Sequence, residues 1–415
     1  MGLAKRMWEA ETSQGWAYSH QWVCANCVDD QFLERKLRDA EDSDAQCEFC
    51  DARPAAPLDV LLESFVAGIY TEYANADDEG IPYVSREGGY QADIKDTWEI
   101  VDEFGDALRG PGLLEAVRDS IHDQPWVSRF HWQLSTTEAL HYGWESFCDA
   151  IKNETRYVFW LHGNHVEDAD SWSDGIPASK ILQEVGSIVD RHGLYRHIEV
   201  DEPLWRARTH SEPKVEWGAK HLGTMKREDS RQANRMNPAG IPMFYGATEM
   251  DTAIRESLVR TSDTYVTAAA FLATQTVTVV DLTDEKLPTI PSLFDTERVA
   301  ERQGLLFLRG FVGKLSQPIR TSFEQVDYVP TQVLTEYFLK VHRHPEISEE
   351  VVGLMYTSSV TGKPCMVLNI PEERCIDPGD EPIAAGLKIE INATTISTFQ
   401  IERTYSKIPA VNPFI

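Results

Sequence analysis

The sequence predicts an α+β protein in three parts. A small four-cysteine zinc-binding module occupies residues 1–57, a mainly helical domain 58–195, and a mixed α/β domain 196–415. Three observations predict this. Two C-x2-C pairs lie close together near the N-terminus, and the middle of the chain repeats apolar residues every three or four positions. After residue 196 the pattern changes to alternating and short apolar runs bounded by Gly and Pro. A chain of 415 residues accommodates two or three such domains, and 42% hydrophobic residues suffice for sizeable cores.

In the first part, Cys24 and Cys27 are followed after nineteen residues by Cys47 and Cys50. Each C-x2-C pair offers two sulfurs to one tetrahedral ion, and this separation falls in the range of four-thiolate zinc sites. A closed set of four thiolates leaves no open coordination position, so the expected zinc is structural. No βαβ pattern surrounds either pair, which disfavours a thioredoxin-like redox role. Seven cysteines in all is an odd number, better suited to a reducing compartment than to a disulfide framework. "MGLAKRMWEAETSQ" contains no signal-peptide core, and the most apolar run, "VTAAAFLATQTVTVV", is broken by Gln275 and several threonines. A cytoplasmic protein without a membrane span is expected.

The formal charge of −28 excludes a general nucleic-acid footprint, so an anionic ligand would have to be held by a few local cations. The H-E-x-x-H, G-x-x-x-x-G-K-[ST] and G-x-G-x-x-G motifs are missing. "HGNHVED", with His162, His165 and Glu167, reads as a solvated polar loop.

The middle part opens with two helical patterns, "LDVLLESFVAGIYTEY" and "DTWEIVDEFGDAL". In "PASKILQEVGSIVDRHG", Ile181, Leu182, Val185, Ile188 and Val189 form one stripe, and Gly193 stands where a terminating glycine belongs. "RYVFWLHG" reads as a short buried strand, and Trp126, Trp132, Trp144, Trp160 and Trp172 as core.

In the last part "EPLWRARTH" alternates, placing Leu204, Arg206 and Arg208 on one face of a strand, opposite Trp205 and Ala207. Two guanidinium groups facing the same way suit an edge strand with carboxylate partners, or a pyrophosphate held bidentately. "GIPMFYGA" reads as a strand carrying Phe244 and Tyr245. "ATEMDTAIRESLVR" reads as a helix capped by Thr248 with Asp251 completing a capping box. Its apolar face is Met250, Ala253, Ile254 and Leu258, with Glu256 roughly opposite, toward solvent or a cleft. "GLMYTSSVTGKPCMVLNI" reads as strand, polar turn and strand, with Tyr356, Ser358 and Ser359 ending the first strand.

Taken in order, "LWRAR", "RMNPAGIPMFYGA", "TAIRES" and "YTSSVTG" resemble the RES domain, found in bacterial toxin–antitoxin pairs. The preceding cysteine-bearing and helical parts are similar to the domain that precedes some RES and HEPN domains. The resemblance implies an ADP-ribosyltransferase-like fold and an enzyme acting on NAD as substrate. The implied reaction is cleavage of the nicotinamide–ribose bond by phosphorolysis or hydrolysis, in a toxin–antitoxin or anti-phage setting. Transfer of ADP-ribose to a protein or nucleic acid is the alternative, and a non-catalytic zinc-dependent interaction module is a third reading. Residue by residue, the resemblance implies catalytic roles for Arg206, Tyr245, Glu256 and either Ser358 or Ser359. It implies NAD contacts from Arg206, Arg208, Arg235, Asn237 and Tyr245. An antitoxin or regulatory protein is the implied partner, and the composition is compatible with oligomers. The chemistry fits these residue types. Nicotinamide leaves through an oxocarbenium-like transition state, which a carboxylate stabilises electrostatically while an aromatic ring stacks on the departing base.

Overall fold

The structure, a computed structural model, describes residues 14–162, 175–213, 216–259, 261–317, 323–344, 349–380 and 386–402. The chain forms two compact units. One comprises Met1–Ala139, Asp170–Gly175 and Thr289–Leu306; the other comprises Leu140–Ala169, Ile176–Pro288 and Phe307–Ile415.

In the first unit, helix α1 (Gln31–Asp39) begins at Asp30, whose carboxylate accepts from the Phe32 and Leu33 amides. Helix α2 (Leu58–Glu72) buries Leu58, Leu61, Leu62, Phe65, Val66 and Ile69, the three-and-four spacing that the sequence shows. Phe294, from the Thr289–Leu306 segment, stacks on Phe65 with ring centroids 5.0 Å apart. Helix α3 (Thr97–Glu103) opens with a capping box between Asp96 and Glu99. The helical reading of this region omits a three-stranded sheet of Tyr73–Asn75, Trp126–Ser128 and Ile94–Lys95. Strands of two or three residues are too short to show alternation in sequence.

Two further expectations are corrected. "RYVFWLHG" is not a buried strand: Phe159–His162 is one helical turn, with Tyr157 79% and Val158 49% exposed. An apolar run this short shows no periodicity that distinguishes the two. Of the five tryptophans, Trp126 and Trp144 are buried, but Trp132 and Trp160 are 68% and 52% exposed. Trp172, His165 and Glu167 lie outside the described residues.

In the second unit, helix α4 (Ile181–Arg191) buries all five stripe residues. It stops at Gly193, which adopts φ +58° while the Leu194 amide returns to the Val189 carbonyl at 3.0 Å. The main sheet has ten strands: β1 (Tyr195–Ile198), β2 (Leu204–His210), β3 (Phe244–Ala247), β4 (Tyr265–Ala273), β5 (Val277–Leu282), β6 (Val351–Thr357), β7 (Pro364–Leu368), β8 (Cys375–Ile376), β9 (Ile389–Ile391) and β10 (Ser397–Gln400). Their order is β8-β9-β4-β2-β3-β7-β6-β5-β1, with β10 also on β4. Pairings are antiparallel except β5–β6 and β8–β9, so the sheet is mixed. Leu204, Phe244, Phe271, Met355, Met366 and Leu368 form the centre of an apolar core on this sheet.

Candidate functional site

The sheet opens at β2. This strand pairs with β4 over seven register positions, from Leu204 opposite Phe271 to His210 opposite Tyr265. With β3 on its other side it shares one, Trp205 opposite Ala247. β3 remains paired with β7 over four positions, so β2 and β3 diverge like a fork. A cavity of about 950 Å³ occupies the fork, reached by Arg206 and Arg208, Tyr245, Glu256, Tyr356 and Ser359.

The alternation expected for β2 is present. Leu204 enters the core beside Phe244 and Phe271, while Trp205 and Ala207 pack with Ala247, Ala253 and Cys365. Arg206 lies over the Phe244 ring, 5.0 Å from its centroid, and Nη1 donates to the Tyr245 carbonyl at 2.6 Å. It thus bridges the strands where the backbone ladder ends. Arg208 Nη2 donates to the Gly223 carbonyl at 2.5 Å. The Nε of each arginine is buried without a hydrogen-bond partner, and among the described residues neither arginine forms an ion pair. Burial and the neighbouring Arg208 charge hold the pKa of Arg206 below the ordinary guanidinium range, and burial does the same for Arg208.

The Arg-x-Asn run precedes β3 as a loop that grips Tyr245. The phenol donates to Asn237 Oδ1 at 2.6 Å and accepts from the Met236 amide at 3.2 Å. Asn237 is fully buried, and its Nδ2 donates to the Ile241 carbonyl at 2.8 Å. Its side chain therefore holds Tyr245 and does not line the cavity. Arg235 borders the cavity, but its guanidinium donates to the carbonyls of Leu315 and Gln317, the latter at 2.9 Å. These are the end of helix α6 (Val299–Ser316) and the residue after it, where a cation complements the helix dipole. Burial raises the Tyr245 pKa.

Glu256 projects from helix α5 (Met250–Leu258). The expected cap is corrected: Glu249 holds the N-cap position without a side-chain bond, and Asp251 instead accepts from Arg255 Nε at 2.7 Å. The expected apolar face is corrected as well. Thr252 and Ala253 are the buried residues, and Glu256 follows them by three and four positions, on the same face. The helix turns this way because the surface opposite is polar. Thr252 Oγ1 meets Thr361 Oγ1 at 3.2 Å, and Ser358 Oγ donates to Glu256 Oε1 at 2.5 Å. Ser358 is 2% exposed, and its oxygen also accepts the Val360 and Thr361 amides, each at 3.1 Å. Ser359 is exposed at the cavity. The serine that meets the carboxylate is therefore Ser358.

Tyr356, read from sequence as an ordinary strand residue, lines the same cavity. Burial pushes its hydroxyl well above the ordinary value, with Cys365, Tyr245 and Glu256 adding to the effect. Its place two residues before Ser358 on β6 is the signal that could have marked it, because i and i+2 share a strand face.

The four-cysteine cluster assembles as expected. The Cys24 and Cys50 sulfurs are 3.4 Å apart, Cys24–Cys27 and Cys27–Cys47 are each 3.7 Å, and all four sulfurs lie within 4.8 Å of one another. Zn–S bonds of about 2.3 Å in a tetrahedron place sulfurs ~3.8 Å apart, so this set fits zinc. Each knuckle is tightened by the backbone: the Cys27 amide returns to the Cys24 carbonyl and the Asp51 amide to the Cys47 carbonyl, both at 3.0 Å.

A larger, mostly apolar cavity of about 1110 Å³, bordered by Trp160, Leu182 and Tyr337, contains none of these arginines or Glu256. No described helix is long and apolar enough to cross a membrane. In comparison with known families, residues 40–165 match HEPN/RES N-terminal domain 1 and residues 203–384 match the RES domain. Among curated proteins and solved structures, none matches the chain.

Proposed function

Because the chain carries a HEPN/RES N-terminal domain followed by a RES domain, an NAD-related, toxin-type domain, we propose that it cleaves the nicotinamide–ribose bond of NAD in the fork between β2 and β3. The observation that carries this reading is the pairing of two half-buried arginines, neither of them in an ion pair among the described residues, with a Ser358-held carboxylate in one cavity. In a protein of net charge −28 such arginines call for an anionic ligand, and a pyrophosphate offers guanidinium groups acceptors in fork geometry.

Arg206 and Arg208 hold the pyrophosphate. The rings of Tyr245 and Tyr356 flank the nicotinamide end. Glu256, oriented by Ser358, faces the ribose, where its charge stabilises the oxocarbenium-like transition state. The C1′–N bond breaks with its electron pair leaving on nicotinamide. Water or phosphate oxygen bonds C1′ and releases a proton, giving ADP-ribose or its 1-phosphate. Arg235 and Asn237 act by holding the loop and Tyr245, a role different from direct NAD contact. Zinc on Cys24, Cys27, Cys47 and Cys50 would supply structure to the N-terminal unit. We place the activity in a toxin–antitoxin or anti-phage system, where a dedicated protein partner restrains it.

The test incubates purified full-length protein with NAD, with and without phosphate, and resolves nicotinamide, ADP-ribose and its 1-phosphate beside Glu256→Gln. Nicotinamide release by the wild type alone supports the reading, and phosphate dependence identifies the acceptor. Label from adenylate-labelled NAD retained on a macromolecule would replace it with ADP-ribose transfer. NAD that neither binds nor reacts would replace it with a non-catalytic module.

A further inference from the structure

Tyr245 is held by a loop closed on itself by a reciprocal backbone pair between Asn234 and Asn237, and further support comes from a helix about 90 residues further on. Helix α7 (Val329–Glu336) has Pro330 in its first turn, and beside Val329 and Leu334 it buries three polar side chains. Thr331 is 8%, Gln332 7% and Thr335 0% exposed. Burying an amide and two hydroxyls is costly unless each finds a partner. The Thr331 hydroxyl reaches the Tyr328 carbonyl at 2.9 Å and the Thr335 hydroxyl the Thr331 carbonyl at 2.7 Å, and the partners outside this helix lie in one place. Gln332 Nε2 donates to the carbonyl of Asn234 at 2.8 Å and to that of Asn237 at 3.3 Å. Thr331 Oγ1 donates to the Arg235 carbonyl, and Thr335 Oγ1 approaches Met236 Sδ at 3.5 Å. Four consecutive loop residues, 234 to 237, are thus bracketed by one helix face. Two of these residues, Met236 through its amide and Asn237 through its side chain, fix the Tyr245 hydroxyl.

We propose that Gln332 is a positioning residue for the nicotinamide-facing wall: it acts on the substrate through the loop and Tyr245 and touches neither NAD nor the reacting atoms. This inference rests on the NAD reading above for its substrate, but not for its mechanical content. Gln332 is the strongest member of the bracket because one amide group spans two carbonyls three residues apart. Its removal takes one donor from each of these carbonyls, leaving the Asn237 carbonyl only the Asn234 amide at 2.9 Å and the Asn234 carbonyl only the Asn237 amide at 3.4 Å, and it unties the segment from the helix. Tyr245 then keeps its ring but loses its fixed pose.

The variant is Gln332→Met in the full-length protein, close in length and volume but without the donor. Two measurements separate the bracket from the substrate reading. Hydrogen–deuterium exchange on the ligand-free protein reads the amides of residues 234–237, and the Met236 amide reports directly on its bond to the Tyr245 hydroxyl. NAD turnover then reads the consequence. We expect faster exchange across this loop with peptides of α4 and β4 unchanged, and about a tenfold rise in KM with a smaller change in kcat, the equivalent of one lost hydrogen bond. The decisive arm is a double-mutant cycle with Tyr245→Phe. A residue acting through the phenol loses its effect when the phenol is gone, so the Gln332→Met penalty shrinks to less than threefold in the Tyr245→Phe background. A merely structural glutamine would impose the same penalty in both backgrounds, and that result overturns the proposal. Unchanged exchange at 234–237 overturns it as well, whatever the kinetics. A wild type that fails to bind NAD refutes the substrate reading, while the exchange arm still decides whether Gln332 fixes the Tyr245 loop.

Discussion

Replacing Glu256 by Gln removes a charge and almost nothing else. The side chain keeps its length, and its carbonyl oxygen can accept the Ser358 hydroxyl that now donates to Oε1 at 2.5 Å. Ser358 itself remains tied to the Val360 and Thr361 amides, so the hairpin end and the facing helix α5 stay in place. The thermal midpoint should therefore move little. The loss is electrostatic and specific to the transition state. A carboxylate ~4 Å from the positive ribose carbon, at an effective dielectric constant of about 20, contributes roughly 4 kcal/mol. At about 1.4 kcal/mol per tenfold this is close to a thousandfold in kcat, while KM, set by the pyrophosphate and the rings, should stay within about threefold. The assay is the initial rate of nicotinamide release at saturating and limiting NAD. A Glu256→Gln enzyme that is fully folded and keeps more than a tenth of the wild-type kcat would refute the argument, because a carboxylate at the reaction centre cannot be neutralised so cheaply.

Three other outcomes follow from the same geometry. Arg206→Met should raise KM for NAD at least tenfold while leaving the midpoint unchanged or higher, since it exchanges a half-buried guanidinium without an anion for an apolar chain; differential scanning fluorimetry beside NAD titration checks both. Full-length protein should carry about one zinc per chain by elemental analysis, and Cys24→Ser or Cys47→Ser should lose the metal and unfold the core around α1 and α2, seen as protease sensitivity before Thr136. Burial raises the carboxyl pKa of Glu336, so the folded state binds this proton more tightly than the unfolded state does. The resulting handicap is absent below the unfolded Glu value near ~4.3 and grows as pH rises through the folded value. Glu336→Gln should therefore be more stable than the wild type at neutral pH and indistinguishable from it at pH ~4, measured by urea midpoints across that window.

Much of the candidate site was legible before any coordinates. The arginine pair shared a strand parity, and strand parity survives any packing. The four-cysteine cluster was legible because C-x2-C is a local knuckle whose geometry a few backbone bonds determine. The long helices were legible because α2 and α4 bury one continuous stripe each. Errors fell where local and tertiary preferences diverge. Helix α5 carries Met250, Ile254 and Leu258 in a stripe, yet Thr252, Ala253 and Glu256 share the inward face, because the facing hairpin end offers hydroxyls. "RYVFWLHG" failed for lack of length, and the short strands of the first unit for the same reason.

The sequence by itself determined the cast: two arginines in register on one strand, a tyrosine, a glutamate, paired serines and a four-cysteine cluster. It did so because these depend on residue type and on spacings of two to four, which the backbone converts directly into shared faces. Only the tertiary structure decided their parts. It set Ser358 against the Glu256 carboxylate, left Ser359 at the cavity and added Tyr356 to the lining. It turned Arg235 to a helix end and buried Asn237 behind the Tyr245 phenol. It also brought Phe294 onto Phe65 and Gln332 onto the loop at 234–237. Apart from Asn237 and Tyr245, eight positions from each other, those outcomes join residues some 80 to 230 positions apart. The hydrogen bonds and ring contacts that select them come into being only when the sheet order brings distant strands and helices together, and no local periodicity encodes that order.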